Sequence, residues 1–172
     1  SALEVVLLVA FQILYGCVYH RVGLIIAMFM LGLGIGSFTM NRILPGRTRR
    51  DLAWLELGVA AYAACLPLGL IGLVRFANLA AAAAASQIAI PVAALVLAVL
   101  VGLEFPLAGK ADFQTVSATA ARLYTADYLG AALGALLVST LLIPVIGVVA
   151  VCLLAAALNV ASGAVILWTS RK

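Results

Sequence analysis

The chain has 172 residues, of which 67% are hydrophobic and only 9% charged, with ten Lys and Arg against six Asp and Glu for a net charge of +4. Globular domains average roughly 45–50% apolar and about 25% charged residues, so this chain lacks the polar surface to wet a soluble body and its solvent must be lipid. At about 20 residues per crossing, the length holds about six transmembrane helices and their turns, with nothing left for a soluble catalytic domain.

Apolar runs of spanning length predict an all-α polytopic membrane bundle, a single domain over 1–172, with helices at 2–19, 22–41, 52–73, 79–104, 117–142 and 147–169. No basic segment precedes a cleavable core, so the first run reads as a span and not as a signal peptide; Ser1 in place of an initiator Met leaves room for a longer parent. Residues 20–23 form a tight hairpin in this reading, 42–51 a basic loop and 75–78 a brief turn. Alanines 80–85 open the fourth helix, because alanine is the best helix former. A polar stretch follows at 109–117, and Pro144-Val145-Ile146-Gly147 breaks the last two helices apart. Connections this short make sequence neighbours antiparallel. Pro67 and Pro91 fall inside spans, where the missing N–H predicts kinks.

Orientation follows from the basic loops. One side carries Arg42, Arg47, Arg49, Arg50, Lys110, Arg122, Arg171 and Lys172, the other only Arg21 and Arg75, which places both termini in the cytoplasm. The same confinement of basic residues to loops argues against nucleic acid as a partner. Cys17, Cys65 and Cys152 sit singly in apolar runs and read as small buried hydrophobes. His20 is the lone histidine, so neither a structural metal nor a haem centre is expected, and no cofactor is implied. Ser37, Ser139 and Thr140 have no adjacent base, which removes a serine hydrolase. The glycine run 32–36 lies mid-helix with no strand before it and is a packing feature, not a nucleotide loop. Trp54, Trp168, Tyr15 and Tyr19 stand near span ends, as in an aromatic belt.

Acids in hydrocarbon cost at least about 2.5 kcal/mol each, so every one asks for a reason. Glu4, Glu56 and Glu104 fall within about one turn of the cytoplasmic boundary, where a charge cluster with Arg42, Arg47, Arg49 and Arg50 offers interfacial salt bridges. Asp127 lies about 15 Å into the fifth span, near the midplane. Tyr124, three residues earlier on the same face, offers a hydroxyl to it. Two readings stand for Asp127: a hydrogen-bonded side chain that fixes helix packing, or a cation or proton site. Ala126, Gly130 and Gly134 form a small-residue stripe on the same helix, as do Gly32 and Gly36 in the second span, for close helix approach in lipid.

The segment from Gly36 through Asn41-Arg42 to Gly46-Arg47 is similar to the loop between helices two and three of major facilitator transporters, with pattern G-x-x-x-D-R-x-G-R-R. Gly36 and Arg42 match, Gly46-Arg47 matches after a one-residue offset, and Asn41 stands in place of the acid, which weakens any charge-relay gate. A wider resemblance rests on Gln12-Ile13-Leu14-Tyr15-Gly16, Phe29 to Ser37, Gly102-Leu103-Glu104-Phe105-Pro106-Leu107-Ala108, Leu123 to Ala135 with its YxADxxGAxxGA pattern, and Leu142-Ile143-Pro144. These segments resemble the membrane region of bacterial spermidine synthase-like proteins, in which a transporter-like bundle is fused to an aminopropyltransferase-type domain. The resemblance implies half of a major-facilitator-type bundle in a bacterial inner membrane and marks Glu104, Tyr124 and Asp127 as motif positions without a role. The catalytic Asp and glycine motif of the family's soluble domain have no counterpart here, so the stretch is not by itself the enzyme.

Three functions fit. The first is a membrane platform for a soluble catalytic domain, fused or separate. The second is a half-transporter that moves a polyamine or proton past Asp127, completed by another chain or by homo-oligomerisation. The third is an accessory subunit of a larger membrane complex, contributing lipid-facing helices and a quinone or lipid groove.

Overall fold

In lipid no water bonds the backbone N–H and C=O groups, so the chain must satisfy them internally, and helices do this within one segment. The computed structural model describes residues 2–15, 19–43, 46, 49–76, 80–111 and 116–169. They form α1 (Ala2–Tyr15), α2 (Tyr19–Ile43), α3 (Arg49–Phe76), α4 (Ala80–Ala111), α5 (Val116–Leu137), a π-turn (Val138–Leu142) and α6 (Ile143–Thr169). Four stretches are long and apolar enough to cross a membrane: Val22–Ile43, Arg50–Leu73, Gln87–Gly109 and Tyr124–Thr169. The last has 46 residues, more than twice the roughly 20 that one crossing needs. The apolar part of α1, Ala2–Ile13, is shorter than a crossing.

Glycine sets the closest packing. A methyl group added at Gly32 would lie 2.6 Å from both the Ala98 side chain and the Leu95 carbonyl, and one added at Gly102 would lie 2.6 Å from the Leu33 carbonyl. Gly36 stands equally close to the Val99 backbone. Rising numbers on α2 meet rising numbers on α4, so the two helices run parallel along the most extensive contact in the fold. Without a hydrophobic drive between helices in lipid, such close backbone approach supplies the dispersion energy that holds them. α3 runs antiparallel to α6, with Gly163 against Ala53 and Glu56, and antiparallel to α4, where the Tyr62 hydroxyl donates to the Ala93 carbonyl at 2.7 Å.

Helix α1 packs mainly against α6 and α4 and fills the centre: Leu7 and Phe11 are fully buried together with Ile25, Ile90, Leu97 and Val151. The periphery is apolar as well, with Leu68, Ile88, Leu133, Leu158 and Val165 all exposed. A water-soluble fold would not show that surface; a lipid-facing one does. Hydroxyl and amide side chains along the helices mostly bond their own backbone one turn back, as Thr39 does to Ile35, Thr140 to Leu136 and Asn159 to Ala155.

The chain departs from the sequence reading at several joints. Residues 20–23 are not a hairpin: α2 already begins at Tyr19, and extending the helix bonds backbone groups that a turn would leave at the lipid interface. The connection therefore falls on 16–18, outside the described residues, as does Cys17. Pro67 and Pro91 lie inside α3 and α4 without ending them. Helix α4 continues past 104 through Pro106 to Ala111. Pro106 has no N–H for the Gly102 carbonyl one turn earlier, and the Ser37 hydroxyl donates to that carbonyl instead, at 3.1 Å.

Before Pro144 the ladder loosens into the π-turn, in which the Ile143 N–H donates to the Val138 carbonyl. Helical hydrogen bonding then runs through Pro144, and the backbone leaves helical geometry only at Gly147, with φ 80° and ψ 165°. A side chain disfavours that region strongly, so glycine is what permits the bend.

Candidate functional site

The antiparallel alternation brings the start of α3 and the ends of α4 and α6 to one end of the bundle, where the polar side chains collect. Glu56, in the second turn of α3, accepts a hydrogen bond from the Ser162 hydroxyl of α6 at 3.0 Å. Gly163 eases this meeting, because a methyl there would sit 3.3 Å from the Ala53 carbonyl, tighter than ordinary contact. Glu104, on α4, lies within electrostatic reach of Glu56. Its Oε1 is buried and has no hydrogen-bond partner among the described residues. A buried carboxylate oxygen without a donor among the described residues is expensive, so this atom fits a proton or a cation.

Glu4 opens α1 and is half-buried, facing the same end. Of the four arginines expected to pair with these acids, two have described side chains. The Arg42 guanidinium lies 4.3 Å from the centroid of the Phe38 ring, a cation–π contact on its own helix, and Arg50 is exposed. Arg47, and the side chain of Arg49, lie outside the described residues, as do the side chains of His20, Arg21, Lys110, Arg122, Arg171 and Lys172. Sequence reasoning missed Ser162, because its partner lies 106 positions away; the signal present was a hydroxyl followed by glycine in an otherwise apolar last helix.

Asp127 is elsewhere. It is exposed on α5, a helix that touches the bundle sparingly through α1 and α4. Tyr124 is 50% exposed and Tyr128 69%. Tyr124 does not turn to Asp127: its ring packs on Phe105 at 5.1 Å and on Tyr128 at 6.3 Å between centroids. A methyl at Gly130 would meet open space, and Gly134 is half-buried. The half-buried positions Ala131, Gly134 and Ala135 recur at helical spacing toward buried Val138, and Tyr124, Asp127 and Tyr128 extend the same stripe. The polar end of the stripe is thus the part that this bundle leaves uncovered.

Two apolar clefts open between helices. One, of about 320 Å³, lies among α1, α3 and α4 beside Tyr62 and Cys65; the other, of about 410 Å³, lies among α1, α3 and α6. Among the described residues no group of three His, Cys, Asp or Glu stands close enough to hold a metal ion. Nor do Ser139 and Thr140 face a base: both hydroxyls donate to carbonyls of their own helix. No protein family, curated protein or solved structure matches the chain.

Proposed function

We propose that this chain is a six-span integral membrane domain, with both termini in the cytoplasm, that serves as a platform for a soluble catalytic domain or protein partner. The observation that carries the reading is the uncovered stripe of Tyr124, Asp127 and Tyr128 on α5. A carboxylate left facing hydrocarbon at the helix centre costs about 2.5–3.5 kcal/mol, whereas against a protein partner it gains a donor. Six spans follow if α5 and α6 fold back at Gly147 and α1 also crosses. Basic loops on one side support the orientation and a bacterial inner membrane. The resemblance to spermidine synthase-like proteins names the occupant of the platform, an aminopropyltransferase-type domain.

The test is the intact mass of the polypeptide drawn from its native membrane, with aminopropyl transfer assayed on the same preparation. A mass tens of kilodaltons above 17.7 kDa, or a co-isolating soluble chain, together with that activity, is the expected result. A free 17.7 kDa chain without partner or activity overturns it.

One observation favours a second reading, the unpartnered buried oxygen of Glu104 beside Glu56. In a half-transporter these acids would receive a proton or polyamine from the cytoplasm and Asp127 would pass it on, with a second unit covering α5.

A further inference from the structure

The larger cleft points to a ligand that neither reading supplies. Its walls are Ala10 and Ile13 of α1, Pro67 and Ile71 of α3, and Val149 of α6, and the one charged lining residue among the described residues is Arg75 in the last turn of α3. The volume of about 410 Å³ falls within the roughly 300–1,000 Å³ of small-molecule sites. The cleft lies at the opposite end of the bundle from the acids. Glu56 is 19 residues back along α3 from Arg75, or about 28 Å, and the parallel course of α1 puts Glu4 at that far end too. The antiparallel course of α4 does the same for Glu104. Asp51 precedes Glu56 on α3 and is more distant still. The Arg75 side chain is exposed.

An arginine at the membrane boundary, over an apolar cleft and at the far end of the bundle from Glu4, Asp51, Glu56 and Glu104, has one abundant complement in its surroundings: the phosphate of a lipid whose chain enters the cleft. We propose that the cleft among α1, α3 and α6 binds one anionic phospholipid, an acyl chain lying along Ile13, Pro67 and Ile71 and the headgroup phosphate on Arg75. Guanidinium suits this role because its fork of donors pairs two phosphate oxygens at once. Pro67 adds apolar surface to the wall without ending α3.

The full chain, reconstituted in vesicles of equal parts phosphatidylglycerol and phosphatidylcholine and extracted in mild detergent, is weighed by native mass spectrometry to count the lipid retained. Wild-type protein should retain phosphatidylglycerol over phosphatidylcholine by a factor of about five. Arg75→Gln should bring the two lipids to parity with the helical circular dichroism unchanged. Arg50→Gln, at the other end of the same helix, should keep the preference. Val149→Trp, which fills the cleft, should lower retention of both lipids. Parity in the wild-type protein, or a preference that survives Arg75→Gln, overturns the proposal. Displacement of the lipid by inorganic phosphate also overturns it, since the guanidinium would then serve a free anion.

Discussion

Ser37 shows how a single hydroxyl decides the length of a helix. Pro106 deprives the Gly102 carbonyl of its partner in α4, and the Ser37 hydroxyl of α2 replaces it across the parallel pair. Removing the hydroxyl leaves a part-buried carbonyl unpaired, so Ser37→Ala should destabilise the bundle by about 1–3 kcal/mol. Pro106→Ala restores the N–H, and the double variant should recover most of that loss. Thermal unfolding in detergent of the two single variants and the double one measures the coupling, and strictly additive losses would refute it. The serine and the proline were both visible in the sequence. Their relation was not, because it depends on the register between α2 and α4, which glycines set by contacts about 65 positions apart.

At the scale of elements, legibility follows from what lipid forces. Long apolar runs must be helical, which is why all-α architecture could be read directly from hydropathy, although where six spans were expected the described residues give four apolar stretches of crossing length, one of them of 46 residues. Joints are harder, because proline and polar residues stop a helix only when no neighbour supplies the missing bond. That is why α4 passes Pro106 and α2 absorbs 20–23. Gly147 is the joint where local chemistry does decide: its φ of 80° with ψ of 165° admits glycine almost alone. Gly147→Ala should cost about 1–3 kcal/mol of stability, although a methyl there meets nothing within 4 Å. The loss would come from the backbone and not from crowding. Gly130→Ala, also facing open space but on regular helix, should be neutral or slightly stabilising. Equal melting shifts for the two variants would mean that the bend at Gly147 is not strained in this way.

The whole molecule divides its polar groups between two places with different needs. At the acidic end Glu56 finds a partner inside the bundle in Ser162, while the buried Oε1 of Glu104 has none among the described residues. On α5 the side chains of Tyr124, Asp127 and Tyr128 stay exposed, because the helix has only sparse contact with α1 and α4. Sequence spacing placed Asp127 and Tyr124 on one face and left open whether that face was inward; the answer depends on how α5 sits, which hydropathy does not encode. If the face is completed by a partner, Asp127→Leu should leave the chain folded and inserted, since leucine is favoured over aspartate at a helix centre by about 3 kcal/mol. The assembly recovered in mild detergent should then shrink to the single chain. Asp127→Asn keeps the size and a hydrogen-bonding head but not the charge, so it separates the two readings. In the platform reading Asn holds the partner and reconstituted vesicles carry no cation flux with either residue. In the transport reading the wild-type chain conducts and Asp127→Asn abolishes the flux while the assembly stays whole. An unchanged assembly with Asp127→Leu would reject both, because each requires the α5 stripe to be the covered surface.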